Sequence, residues 1–123
     1  MTGESAHVRA VDAFIAAANE RDAARRATLL GQALAADVVF WGPLGRGVGR
    51  KAVEGFITDV VQGHPAGPCR MMRTSQVDAP EEWARFAWCF TDGAGQVLLT
   101  GMDVVHVRAE GDIDEIVVFA GPL

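Results

Sequence analysis

The stretch VLLTGMDVVHV, from Val97 to Val107, predicts a β-strand that carries a carboxylate in an apolar row. Because successive strand side chains point to opposite faces, Asp103 shares its row with Leu99, Val105 and Val107. The opposite row is also mostly apolar and holds Leu98, Thr100, Met102, Val104 and His106. We therefore expect both faces of this strand to be covered, and a carboxylate in such a place needs a structural or a chemical reason.

The sequence around this strand predicts a sheet of long strands joined by short turns. The turn EGD and the strand IDEIVVFAG follow it, while CRMMRTSQVDA, EEWARFAWCFTD and the turn DGAG precede it. Such a pattern indicates an antiparallel sheet connected by hairpins. One shorter strand, Asp37 to Trp41, is predicted earlier in the chain, and the turn formers GPLGRGVG end it.

Helical spacing of apolar residues predicts three helices in the first half of the chain. The first runs from about Ser5 to Asn19, and a shorter one follows a break near Asp22. The third is marked by apolar residues at i, i+3, i+4, i+7 and i+8, and GHPAGP ends it: Val53, Phe56, Ile57, Val60 and Val61. Helices followed by a meandering sheet predict one α+β domain, residues 1–123, with the helices packed on one face.

The composition is that of a globular protein and excludes several classes of function. Of 123 residues, 50% are hydrophobic and 22% are charged, which is enough for a core and unlike a disordered chain. The net charge of −5 and the scattered arginines argue against nucleic-acid binding. No apolar run can span a membrane and MTGESAHVRA has no signal-peptide core, so we expect a cytoplasmic protein without membrane association. Cys69 and Cys89 have no metal-ligand spacing, and no metal site is predicted.

Two interpretations of Asp103 follow from its position. It is either a structural carboxylate, satisfied by an arginine or by backbone N–H groups, or a pocket carboxylate whose pKa is raised by burial so that it can exchange a proton near neutrality. His106 lies on the opposite row and should not pair with it, and His7 and His64 are interpreted as surface or interface imidazoles. The alternation does not decide whether Arg73 or Arg85 faces the pocket.

Three segments in this order resemble one known superfamily. AFIAAANERD, DVVFWGPLGRGVGRKAVEGFI and GMDVVHVRAEGDIDEIVVFAGP resemble the nuclear transport factor 2-like proteins, and most of all the SnoaL-like polyketide cyclase and ketosteroid isomerase-like group. The resemblance covers nearly the whole chain. It implies a conical α+β barrel, in which a strongly bent antiparallel sheet packs on about three helices around an apolar central pocket. It also implies a homodimer through the outer sheet face, which would bury Met102, Val104, His106, Val117 and Phe119.

The resemblance also implies a role for Asp103. It places Asp103 on the Asp that ketosteroid isomerases hold protonated in an apolar site, where it donates a hydrogen bond to the developing oxyanion of the substrate. The family's tyrosine on the first helix falls on Phe14, and its general base falls on Gly42; the chain contains no tyrosine. The resemblance therefore does not extend to steroid isomerisation itself.

Two functions remain open from the sequence. The first is a cofactor-independent isomerase or cyclase that acts on a small apolar carbonyl substrate, with Asp103 as its acid/base or oxyanion partner. Its pocket would be lined by Phe14, Trp41, Phe56, Trp88, Val105, Ile116 and Val118. The second is a non-catalytic ligand-binding module or dimeric scaffold. A lone carboxylate would favour the second function, whereas an arginine or histidine beside Asp103 would favour the first.

Overall fold

The computed structural model describes residues 5–43, 45–65 and 67–121. Within these ranges the chain forms three α-helices, α1 (Ala6–Asn19), α2 (Ala23–Ala33) and α3 (Arg50–Phe56). The strands are β1 (Leu34–Gly42), β2 (Gly45–Val48), β3 (Arg70–Arg73), β4 (Trp83–Thr91), β5 (Val97–Val107) and β6 (Ile113–Ala120). Leu44 of the predicted turn and Ala66 of the predicted helix end lie outside the described residues.

Helices α1 and α2 each begin at a side-chain cap. The Ser5 hydroxyl accepts a hydrogen bond from the Val8 backbone N–H at 3.2 Å, and Asp22 does the same for Arg25 at 2.9 Å. The helix predicted over Val53 to Val61 changes character part-way. It is α-helical to Phe56 and continues as a π-helical segment, Ile57–Gln62. Its buried side chains still follow a single face, which confirms the predicted amphipathic pattern: Val53, Ile57 and Val61.

The strands form one sheet in the order β2-β1-β6-β5-β4-β3. Four of its five strand pairs are antiparallel, as predicted, but β1 and β6 are parallel, so the sheet is mixed and does not close on itself. The prediction of a wholly antiparallel sheet is wrong at this one pair. Hairpin signals describe strands that are neighbours in sequence, and β1 and β6 come from opposite ends of the chain.

The segment GPLGRGVG holds more than the predicted turn. Its second half forms β2, which pairs with β1 in a hairpin from Val39↔Val48 to Gly42↔Gly45. The four glycines of this segment conceal a strand, because glycine has low strand propensity. Gly47 has a packing reason: a Cβ there would lie 2.7 Å from the Ala52 Cβ, so only a glycine lets α3 approach the hairpin this closely.

The two faces of the sheet have different environments. The inner face packs against the helices and forms one apolar core that includes Val11, Phe14, Phe86, Val105 and Ile116. The outer face keeps large apolar side chains partly exposed: Trp41 is 42% exposed, Trp83 42% and Phe119 49%. The inner row of β5 is buried in this core from Asp103 onwards, whereas Val97 and Leu99 at its start are exposed. The outer row is at most half-buried in the single chain.

Candidate functional site

Asp103 lies at the centre of the inner face. It pairs laterally with Phe86 on β4 and with Val118 on β6, and it is only 1% exposed. The strand alternation that places Val105 and Val107 in the core places Asp103 there as well. A carboxylate is thereby held among apolar side chains, away from water.

One hydrogen bond defines the local geometry of this carboxyl group. The indole N–H of Trp88 donates to Asp103 Oδ1 at 2.7 Å, and the Trp88 ring stacks on Phe90 with ring centroids 4.7 Å apart. Trp88 pairs with Gly101 across the sheet, two residues before Asp103. A Cβ on Gly101 would lie 2.2 Å from Cζ2 of Trp88, so the missing side chain is what lets the indole lie against β5 and reach Asp103.

The residue pattern predicts Trp88 in the pocket wall but does not predict its role as a hydrogen-bond donor. The signal was present in the alternation. Trp88 and Asp103 both fall in inward rows of adjacent strands, and a glycine stands opposite the indole. Buried indole N–H groups usually find a partner, and Asp103 is the buried acceptor in this region.

Burial controls the protonation of Asp103. Desolvation raises the pKa of Asp103 from 3.8 to about 7, whereas the Trp88 hydrogen bond acts in the opposite direction by stabilising the carboxylate. The direction agrees with the expectation for a pocket carboxylate. Both protonation states are therefore accessible near neutral pH, which suits a group that donates or accepts a proton.

The arginines that could have neutralised Asp103 are engaged elsewhere. Arg73 forms an ion pair with Asp12 on α1, with Nε to Oδ1 at 3.0 Å, and Arg85 pairs with Asp78 at 2.9 Å on the outer side. Within the part of the chain that the structure describes, Asp103 takes part in no ion pair. An ion-pair strut therefore does not explain this carboxyl group.

Most residues of the predicted pocket wall lie together, and one does not. Phe14, Trp88, Val105 and Ile116 are buried in the core around Asp103, and Phe56 and Val118 are partly buried against it. Trp41 lies on the outer face instead, because Phe40 takes the inward position of β1. The Trp41 indole N–H donates to Glu115 Oε2 at 2.8 Å, and the Arg46 guanidinium lies 5.3 Å from the ring centroid.

The position that the resemblance assigns to a general base is filled by an aromatic ring. A Cβ on Gly42 would lie 2.5 Å from Cε1 of Phe40, so the Phe40 ring occupies the space where a side chain at this position would project. Phe40 in turn contacts Phe56, with ring centroids 5.0 Å apart. These two rings form one wall of a cleft of about 270 Å³ between the β1–β2 hairpin and α3, which we call the glycine cleft: Phe40, Gly42, Gly45, Arg46, Gly47, Ala52, Gly55, Phe56, Asp59 and Val60.

His106 has the outward position that alternation predicts. Its Nδ1 lies 2.6 Å from Asp114 Oδ1 and its Nε2 lies 3.0 Å from Glu82 Oε2, while Trp83 packs edge-on at 4.8 Å. The hydrogen bonds to Glu82 and then Asp114 raise the pKa of His106. This cluster is separate from Asp103 and lies on the opposite face of the sheet.

Neither a metal-binding cluster nor a membrane-spanning helix is found among the described residues. No group of three or more His, Cys, Asp or Glu side chains in residues 5–43, 45–65 and 67–121 is placed to hold a metal ion. In the same ranges, no helix has both the length and the apolar character that a membrane crossing requires.

Comparison with known families assigns the chain to a class. The SnoaL-like domain family matches residues 11–116, so the chain belongs to the SnoaL-like domain family. A crystal structure from Agrobacterium tumefaciens strain C58, described as a candidate isomerase of the SnoaL-like family, is 30% identical with a TM-score of 0.85. The match covers 97% of this chain and 100% of that chain.

More distant structures share the fold. A nuclear transport factor 2-like protein of unknown function from Exiguobacterium is 18% identical, with a TM-score of 0.68 over 97% of this chain and 100% of that chain. A candidate polyketide cyclase from Sinorhizobium meliloti is 12% identical, with a TM-score of 0.66 over 89% and 93%. These likenesses confirm the predicted nuclear transport factor 2-like α+β fold. No protein with a curated description matches the chain significantly.

Proposed function

We propose that this protein is a cofactor-independent isomerase or cyclase that acts on a small apolar carbonyl compound at Asp103. The observation that carries the proposal is a carboxyl group 1% exposed, unpaired with any described cation and held by the Trp88 indole at 2.7 Å. An uncompensated buried carboxyl costs folding free energy, and such groups concentrate at functional sites. Membership of the SnoaL-like family, and the description of the Agrobacterium structure as a candidate isomerase, agree with this proposal.

The chemistry follows from the two protonation states of Asp103. The carboxylate removes a proton from the carbon next to a carbonyl group and leaves an enolate, and the resulting carboxylic acid returns that proton to another carbon, which gives the isomer. A base whose pKa is about 7 is stronger than an ordinary Asp. The Trp88 indole fixes Oδ1, so the remaining carboxyl oxygen is the one assigned to the substrate.

The glycine cleft is the entrance that we assign to this site. Trp41 and Val117 are level in the parallel pair of β1 and β6, so the next residues, Gly42 and Val118, lie side by side, and Val118 pairs with Asp103. Asp103 therefore lies two strand spacings, about 10 Å, from Gly42 on the same face. Phe40 and Phe56 stand between the cleft and the core, and rotation of these rings would admit an apolar ligand.

The alternative function is a binding module that uses the same pocket without chemistry. The observation that favours it is that Asp103 forms no ion pair within the described residues and that both candidate arginines, Arg73 and Arg85, have carboxylate partners elsewhere. Under this alternative, Asp103 in its neutral form donates a hydrogen bond to the ligand and no bond is made or broken.

An exchange experiment separates the two functions. The enolisable ketone 2-tetralone is incubated with the protein in D₂O, and loss of its α-proton signals is followed by proton NMR. We expect the wild-type protein to accelerate exchange and Asp103→Asn to lose that acceleration, because an amide cannot take up the proton. Asp37→Asn, which removes an exposed carboxylate of β1, is the matched control and should behave as wild type.

The remaining outcomes decide against one or both functions. Saturable binding of 2-tetralone without accelerated exchange would support the binding module and overturn catalysis. Acceleration that persists in Asp103→Asn would place the chemistry elsewhere. If 2-tetralone and a panel of other apolar cyclic ketones neither bind nor exchange, the pocket itself is wrong.

The outer face of the sheet supports a second part of the proposal, a homodimer. Met102, Val104, His106 and Val117 are half-buried there, and Phe119 is 49% exposed. Large exposed apolar patches on soluble proteins mark interaction surfaces. Light scattering at micromolar concentration should give the mass of two chains, and Phe119→Glu should shift the protein towards one. A wild-type monomer at that concentration would overturn this part.

A further inference from the structure

A second polar group faces the interior from helix α1. His7 stands four residues before Val11 and seven before Phe14, so all three share one helix face. Val11 and Phe14 are 0% and 2% exposed, which makes this the buried face. His7 Nε2 is itself shielded from solvent and has no hydrogen-bond partner among the described residues. A buried nitrogen without a partner costs folding free energy and calls for an explanation.

Two contacts fix the level of His7 along the sheet. Asp12 on α1 binds Arg73, which pairs with Trp88, and Asn19 binds the backbone of Met71, which pairs with Phe90. Helix α1 therefore packs against β3 and runs antiparallel to it, which is the same direction as β4. At a helix rise of about 1.5 Å per residue, His7 lies about 7.5 Å before Asp12. That distance equals about two strand residues, which brings His7 level with Phe86, the residue that pairs with Asp103.

We propose that His7 is the second polar group of the Asp103 site and that its Nε2 forms a hydrogen bond with a polar oxygen of the bound ligand. This inference rests on the proposed pocket and deepens it. Asp103 would hold the ligand oxygen from the sheet and His7 would hold it, or a second oxygen, from the helix. Two groups on opposite walls orient a small apolar ligand that one group alone would leave free to rotate.

The proposal revises the interpretation of His7 as a surface or interface imidazole. Position at a helix start favoured exposure, because the first turn of a helix usually meets solvent. The helix face, however, is set by the spacing to Val11 and Phe14, and on that face His7 is half-buried with its Nε2 atom shielded from solvent. A histidine beside Asp103 would favour catalysis over simple binding, and the role proposed for His7 puts one on the wall opposite that carboxyl group.

A matched pair of probes tests His7 directly. 2-Naphthol and naphthalene have the same rings and differ in one hydroxyl group, so the ratio of their affinities reports polar contacts to the ligand oxygen. We expect the wild-type protein to prefer 2-naphthol, and both His7→Phe and Asp103→Leu, which remove the hydrogen-bonding atoms, to reduce that preference by about three- to tenfold each, the value of one hydrogen bond. Naphthalene affinity should change little in His7→Phe, which keeps a ring in the same place.

Control variants and outcomes separate this inference from the proposed function. His64→Phe, a loop histidine outside α1, should leave the preference unchanged. A preference that depends on Asp103 but survives in His7→Phe overturns the role of His7 and leaves the pocket intact. A preference that depends on neither residue overturns both. His7→Gln keeps a hydrogen-bonding group and should recover part of the preference for 2-naphthol. If His7→Gln and His7→Phe lose that preference equally and also bind naphthalene more weakly, His7 only supports the fold.

Discussion

Strand β5 carries two ionisable groups three positions apart, Asp103 and His106, and they differ in what surrounds them. Asp103 faces inward, meets apolar side chains and has the Trp88 indole as its hydrogen-bond donor. His106 faces outward and lies between the carboxylates of Glu82 and Asp114. The pKa of each group is raised, but burial disfavours the charged form of Asp103 whereas the two carboxylates favour the charged form of His106.

An upward pKa shift therefore has opposite consequences for stability at Asp103 and at His106. At neutral pH the ionised Asp103 is a strained group that the fold tolerates, and removing it should stabilise the protein. The protonated His106 pairs with Asp114 on β6 and with Glu82, which directly precedes β4, so removing it should destabilise the protein. A buried carboxyl group that costs stability is typical of a functional site. A surface histidine with two carboxylate partners is typical of a contact that stabilises neighbouring strands.

The largest expected effect concerns the hydrogen-bonded pair of Trp88 and Asp103, and it comes from Gly101, which has no side chain. Gly101→Ala should lower the free energy of unfolding by at least about 3 kcal/mol, because overpacked cores must shift backbone and rings. The new Cβ would lie 2.2 Å from the Trp88 indole and 2.5 Å from the Phe119 carbonyl oxygen. Urea unfolding measures the loss. Gly31→Ala, where a Cβ meets nothing within 4 Å, is the control and should be neutral or stabilising.

The environment of Asp103 itself is tested by Asp103→Asn, which keeps an acceptor for the Trp88 indole. Because the folded-state pKa is raised from 3.8 to about 7, the folded protein binds more protons than the unfolded chain between these values, so wild-type stability falls as pH rises through this window. Asp103→Asn has no ionisable group at this position, so it should not lose stability in this way as the pH rises. Its stability relative to wild type should improve by about 2–3 kcal/mol between about pH 5 and pH 8.

Urea unfolding of the two proteins over the same pH range can also contradict the raised pKa of Asp103. A constant difference between Asp103→Asn and wild type across this pH range would mean that the carboxyl group does not titrate there. An advantage of the wild type that grows with pH would mean that Asp103 is an ion-paired strut, and the site would lose its main support. Asp37→Asn provides the reference for removal of an exposed carboxylate.

What the sequence predicted and what it missed follow from the range of each signal. Alternation placed Asp103 inward and His106 outward, and local spacing gave all three helices, because both patterns are local properties of the chain. The parallel pairing of β1 with β6 depends on strands from opposite ends of the chain and left no local mark. Trp41 was assigned to the pocket by residue type, although its neighbour Phe40 has the inward parity. The need for a glycine at position 101 could not be predicted, because the Trp88 indole that requires it lies on the neighbouring strand.

The smallest expected effect, on the outer cluster, completes the comparison. The pKa of His106 is raised in the folded protein, so its stabilising contribution is fully present below its ordinary value of 6.5 and is lost as pH rises through the raised value. His106→Gln should therefore be less stable than wild type at about pH 5.5, by about 1 kcal/mol or less since Glu82 is well exposed, and the two proteins should converge at alkaline pH. Urea unfolding at both pH values measures this difference, and added salt should reduce it at the lower pH.

Glu82→Gln should reproduce part of the loss at the lower pH and none at the higher one. If His106→Gln were equally destabilised at both, packing against Trp83 rather than charge would hold this cluster, and the contrast with Asp103 would be one of burial alone.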